Sequence, residues 1–118
     1  MIYGLTDEQN MIADTVRSFV EKEIYPHEDL VERTGEVPAE IAQEIKKKTL
    51  DLGFYACNFP ESVGCAGLNH VEFALVEREL GRGSMALNHF FGRPQNILMA
   101  CEGEQVNRYL MPAVRGER

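Results

Sequence analysis

The segment from Leu5 to Pro26, LTDEQNMIADTVRSFVEKEIYP, decides the fold class. Thr6 and Gln9 have the spacing of a capping box, in which the hydroxyl accepts from a first-turn N–H and the amide reaches back to the cap. Asp7 and Glu8 fall in the first turn, where the helix dipole favours negative charge. Ile12, Val16, Phe19, Val20 and Ile24 then recur at i, i+4, i+7, i+8 and i+12, one apolar stripe of helical period. Pro26 has no N–H to donate and its ring crowds the turn before it. A helix is therefore expected over residues 7–24, ended by Pro26.

Working outward, residues 27–36 are polar, contain Thr34-Gly35 and read as a connector. Pro38 suits a first helical position. Ile41, Ala42, Ile45 and Leu52 give a second stripe, with Lys46, Lys47 and Lys48 near its negative C-terminal end and Gly53 placed to stop it in the left-handed conformation. Residues 54–69 are irregular, with Pro60, Gly64 and Gly67 closing a loop. Asn69 and Glu72 have the spacing to cap a third helix that ends at Leu80. Val71, Phe73, Ala74, Leu75 and Val76 cover most of its circumference, the pattern of a buried helix. Gly81-Arg82-Gly83 breaks it, and Ser84 opens a fourth segment, 85–91, interrupted at Gly92-Arg93-Pro94. Helical patterning returns over 95–101 and over 104–111 before Pro112. Strand-like alternation and internal repeats do not appear. The expectation is an all-α chain, a compact bundle of five or six helices forming one domain over residues 1–118.

Composition excludes several classes of function. The 118 residues carry twelve Lys and Arg against nineteen Asp and Glu, a net charge of −7. Nucleic-acid affinity rests largely on neutralising phosphates, so an acidic domain is a poor candidate for it. The lysine triplet does not reverse this, because six acids between Glu28 and Glu44 precede it. The sequence has no apolar run near the ~20 residues of a membrane span. Met1 to Glu8 have neither the basic start nor the apolar run of a signal peptide. A cytoplasmic location is expected, or an organelle matrix if a targeting segment was removed. Cys57, Cys65 and Cys101 are odd in number and lack C-x-x-C spacing, against both a disulfide framework and a structural zinc site.

Chemistry-bearing motifs are sparse. Gly81-Arg82-Gly83-Ser84-Met85-Ala86 fits G-x-G-x-x-A, but that fingerprint needs a preceding strand, and here a charged helix precedes it. His27, His70 and His89 all lack the Glu three residues earlier that a di-iron carboxylate site uses. Glu77 and Glu79 are two apart on a helix and point to different faces. His89, beside Phe90 and Phe91, is the one histidine in apolar sequence surroundings, expected in a core or at a pocket rim. The chain's residues supply no self-contained active site: no catalytic residue and no metal ligand is assigned.

In order and spacing, the segments resemble the N-terminal helical domain of the flavin-dependent acyl-CoA dehydrogenases. The resemblance rests on Leu5-Thr6-Asp7-Glu8-Gln9, Phe19 to Pro26, Leu52-Gly53-Phe54, Pro60 to Leu68, Glu77 to Ser84 and Glu104 to Glu117. It implies a three-part protein in which a middle β domain and a C-terminal helical domain carry the FAD contacts and the catalytic glutamate. It further implies α,β-dehydrogenation of an acyl-CoA substrate, electron-transfer flavoprotein as oxidant, and a homo-oligomer. The chain alone is expected to bind no cofactor and to have no turnover. Its implied part is to wall the acyl pocket with residues 85–94, with Asn88, His89 and Phe91 as pocket candidates, and to make domain or subunit contacts. The alternative is a stand-alone, non-catalytic helical interaction module derived from the same scaffold. A domain built to be covered by neighbours is also expected to expose an apolar patch and to self-associate. Gly64-Cys65 stands where the family usually has Gly-Gly, with a steric cost expected of Cys65 if its φ is positive.

Overall fold

A computed structural model describes residues 4–117; Met1 to Tyr3, part of the N-terminal stretch read above, and Arg118 lie outside the described residues. Both capping boxes form. Gln9 N donates to Thr6 Oγ1 at 3.1 Å and Thr6 N to Gln9 Oε1 at 3.1 Å, opening α1 (Asp7–Phe19). Glu72 N donates to Asn69 Oδ1 at 2.8 Å, opening α4 (His70–Leu80). Gly35 and Gly53 close α2 (Tyr25–Thr34) and α3 (Ala39–Leu52) in the left-handed conformation. Pro38 sits one residue earlier than expected, at the N-cap of α3.

Pro26 does not end the first helix, and residues 27–34 are helical rather than a connector. The chain passes through a π turn, Val20–Ile24, into α2, with Tyr25 N donating to Val20 O. The wider turn inserts a residue, so the proline follows a ladder already shifted out of α register, where its missing N–H and bulky ring are tolerated. The same device recurs at the other end. A π turn, Val106–Leu110, precedes Pro112, and the helix continues as α6 (Met111–Val114) instead of stopping at Met111. The segment 85–91 is a single α turn, α5 (Met85–Asn88), followed by a 3₁₀ turn, His89–Phe91; Asn96–Ala100 is also 3₁₀. The described residues contain no strand.

The main core joins Val16, Phe19, Val20 and Ile24 of the first helix to Ile45 of α3, Val76 and Leu80 of α4, and Leu87 and Phe91. A smaller one packs Ala56 and Phe59 of the long loop against Leu110 and Val114. Helix α4 is buried on one side only: Leu75, Val76, Glu79 and Leu80 are inside, while Val71 is 55% exposed. Cys65 escapes the expected steric cost, because Gly64 and Gly67 hold the left-handed positions and Ala56 is the one non-glycine residue with positive φ among those described.

The helices spread into a slab of 44 × 43 × 21 Å with a radius of gyration of 15.1 Å, against about 13.5 Å for a rounded domain of this length. Its accessible surface is 7734 Å², against about 6,500 Å² for a monomer of this mass. Large apolar side chains stand on that surface, among them Met85, Ile97, Met11 and Met99. No helix among the described residues is long and apolar enough to cross a membrane.

Candidate functional site

The turn after α4 is built around a buried carboxylate. Glu79 is fully buried, and Arg17 from α1 donates to its Oε1 through Nε at 3.0 Å and Nη2 at 2.7 Å. Arg82 Nε donates to Oε2 at 2.8 Å. Burial pushes the Glu79 carboxyl upward, but the hydrogen bonds and charges of Arg17 and Arg82 outweigh it and hold the group below its ordinary value. Glu77, on another face of α4 as its spacing requires, instead pairs with Arg93 at 2.5 Å. The two carboxylates thus clamp different partners: Glu79 ties α4 to α1, and Glu77 ties α4 to the loop after Phe91.

Asn88 fixes the path between these clamps. It is buried, and its Nδ2 donates to Leu80 O and, at 3.3 Å, to Gly83 O. Ser84 makes no side-chain cap; its N–H donates to Glu28 Oε1 of α2 at 3.0 Å. Asn88→Ala should lower stability by about 1–2 kcal/mol, measured by urea denaturation, because the Leu80 and Gly83 carbonyls lose their side-chain donor. An unchanged midpoint would show that this amide does not hold the turn.

The structure separates the three pocket candidates. Phe91 lies in the core, edge-on to Phe19 (5.4 Å between ring centroids, 83° between planes) and tilted against Phe54 at 6.2 Å. Asn88 is buried beside it in sequence, with its amide turned to the chain's own backbone. His89 is exposed, not embedded, and stands edge-on to the half-buried Phe90 at 5.4 Å. Asn88 ends α5, and the 3₁₀ turn that follows separates His89 from Phe91, because its three residues project in three directions. Local apolar composition could not disclose it.

The surface carries two grooves. One, of about 800 Å³, runs between α1 and α3; the other, of about 740 Å³, lies between α2 and the Arg82–Met85 turn. Neither fits a flavin dinucleotide. Both are open, and carboxylates outnumber cations in each, Asp7, Asp14, Glu23 and Asp51 against Lys22 and Lys48 in the first and Glu28, Asp29 and Glu32 against Arg82 in the second, which disfavours a pyrophosphate. Gly81 to Ala86 follows a helix and forms no strand-to-helix phosphate loop. Cys57 is buried, and that burial raises its thiol to about 11, which makes it a packing residue and no nucleophile at neutral pH.

Residues 6–117 match the family described as acyl-CoA dehydrogenase, N-terminal domain. The chain belongs to the acyl-CoA dehydrogenase family. It is 34% identical to benzylmalonyl-CoA dehydrogenase of Aromatoleum aromaticum, over all of this chain and 32% of that protein. It is 29% identical to the caffeyl-CoA reductase–Etf complex subunit CarC of Acetobacterium woodii, over 96% of this chain and 30% of that one. A glutaryl-CoA dehydrogenase from Mycobacterium smegmatis, solved in complex with FADH2, superimposes with a TM-score of 0.75 at 27% identity, over 96% of this chain and 29% of that structure. The chain therefore spans about a third of the length of the relatives it matches, the N-terminal helical domain of acyl-CoA dehydrogenases.

Proposed function

We propose that this chain is the N-terminal wall of a flavin-dependent enzyme that dehydrogenates acyl-CoA thioesters between Cα and Cβ, completed by a middle β domain and a C-terminal helical domain. The observation that carries this reading is the slab: a body 21 Å thick with roughly 1,200 Å² more surface than a rounded monomer suits a layer packed between other layers. In that setting the chain holds no reacting group. It excludes water from the thioester, which strengthens the electrostatics there, and its contacts with the remote acyl chain help align the reacting carbons. His89, on the outer side of the 3₁₀ turn, is the candidate that meets the acyl group, while Asn88 and Phe91 hold the wall from beneath. FAD is the cofactor of the completed enzyme and is carried by the other domains. Electron-transfer flavoprotein is the acceptor, and the completed enzyme is a homo-oligomer in the cytoplasm or an organelle matrix.

The test replaces the N-terminal third of benzylmalonyl-CoA dehydrogenase with this chain. A chimera that retains FAD should show loss of flavin absorbance on addition of an acyl-CoA. A folded, FAD-loaded chimera that fails to bleach with any acyl-CoA tried, while the parent enzyme bleaches with its own substrate, would overturn the reading and favour the non-catalytic interaction module.

A further inference from the structure

We infer that Glu28 is the positioning residue for the segment 85–91, and that through this segment it sets which acyl groups the completed enzyme accepts. Its carboxylate lies on α2, yet Oε1 accepts from the backbone N–H of Ser84, 56 positions along the chain, at 3.0 Å. Ile24 and Glu28 are four apart and share a helical face, and they meet consecutive residues of the turn. A Cβ on Gly83 would lie 2.8 Å from Ile24 Cγ2 and 3.3 Å from Val20 Cγ1, so the backbone there is seated on the π turn. Ser84, the next residue, is then taken by Glu28. Its carbonyl accepts from Asn88 N at 2.9 Å, which fixes the residue from both sides. Asn88 closes the turn through Leu80 O and Gly83 O, and His89 follows on the exposed side.

This bond is not a by-product of charge pairing. Glu28 makes no ion pair among the described residues. Of the charged groups beside it, Asp29 pairs with Arg33 at 3.0 Å, Arg82 with Glu79 at 2.8 Å, and Glu32 carries the same sign. An ionised acceptor on a backbone N–H makes a stronger bond than a neutral one. The register depends on the π turn, whose inserted residue rotates α2 by about 100° relative to an uninterrupted α-helix. Without it, Glu28 would swing off Ser84. The positioning follows from contacts within this chain; the effect on acyl choice rests on the acyl-wall reading. Contacts with the remote acyl chain align the reacting carbons, so a displaced wall costs most where those contacts are most extensive.

Amide hydrogen exchange in this chain tests the positioning. Glu28→Ala should speed exchange at Ser84, Asn88 and His89 about tenfold and leave the amides of α1 and α4 unchanged. Glu28→Gln, whose amide oxygen still accepts, should restore protection. Glu32→Ala removes the same charge from the same groove and should not disturb it. The chimera described above tests acyl choice, through kcat/KM over a series of straight-chain acyl-CoAs. Glu28→Ala should lower it about tenfold for the longest acyl group turned over and less than about twofold for the shortest, with rescue by Glu28→Gln. Unchanged exchange at Ser84, or an equal rise in Glu32→Ala, would overturn the positioning. An equal loss at every chain length would overturn the effect on acyl choice. A chimera inert with every acyl-CoA would remove the acyl-wall reading and that effect together, and the exchange result then decides the positioning alone.

Discussion

Gly92→Ala should cost about 3–5 kcal/mol and lower the melting temperature by roughly 10–20 °C, the largest effect expected of any single methyl in this chain. Gly92 has φ 92° and ψ 89°, and a Cβ there would lie 2.1 Å from Tyr55 Cε2 and 2.2 Å from Tyr55 Cδ2. The ring is half-buried and burial raises its hydroxyl pKa, so it has little freedom to withdraw. The backbone is equally fixed, because Ala56 N donates to Gly92 O at 2.9 Å and joins the long loop to the end of the 3₁₀ turn. Two penalties therefore add: overpacking against the ring, and a side chain forced into left-handed backbone. The smaller conformational entropy of an unfolded alanine chain returns only about 0.4–1 kcal/mol. Tyr55→Leu separates the penalties, since in that background Gly92→Ala retains the backbone cost but meets a smaller neighbour. A coupling energy of about 1–3 kcal/mol between the two sites is expected from urea denaturation of the four proteins in the cycle. A Gly92→Ala midpoint within experimental error of the parent would show that the Tyr55 ring moves aside freely.

Gly92 also marks how far local sequence carries a structure. That it interrupts a helix was legible from Gly92-Arg93-Pro94, as were both capping boxes and the glycine stops after α2 and α3, because each depends on groups a few residues apart. The ring of Tyr55 that makes the position intolerant of any side chain comes from a loop far off in sequence. Pro26 and Pro112 show a different limit. A proline is a reliable obstacle to α-helix, but the π turn that admits it is a choice between two local ladders, and the packing of Val20, Ile24 and Leu110 into the cores decides it. The candidate site divides in the same way. The family resemblance implied the segment 85–94 as a whole, while the burial of Asn88 and the exposure of His89 depend on where α5 passes into a 3₁₀ turn. Glu79 was legible as a residue facing away from Glu77 and no more. Its partner Arg17 lies 62 positions earlier, and its buried state exists only once α1 and α4 meet.

That buried carboxylate is the subject of the second large effect. Arg17→Met with Arg82→Met should destabilise the chain by on the order of 3 kcal/mol at neutral pH, because the Glu79 charge stays buried with its two hydrogen-bond partners gone. Glu79→Gln should cost less, since both guanidiniums are about half exposed and turn to water. Adding Glu79→Leu to the double variant should recover most of the loss, as an apolar side chain of similar size suits a site walled by the core. The pH dependence distinguishes a charge effect from lost packing. In the parent, the folded Glu79 pKa lies below its unfolded value of about 4.3. Its contribution is therefore complete above that value and is lost as pH falls through the folded pKa. In the double variant burial is opposed only by Arg78, whose Nη2 lies 3.8 Å from Oε1, so the folded pKa rises from its parent value and the penalty present at neutral pH is relieved as pH falls. The stability difference between parent and double variant should consequently narrow on acidification, followed by urea midpoints from neutral pH to below the unfolded carboxylate value. A difference that stays constant across that range would assign the effect of the two arginines to the packing of their methylene stems, and would remove Glu79 as the electrostatic link between α1 and α4.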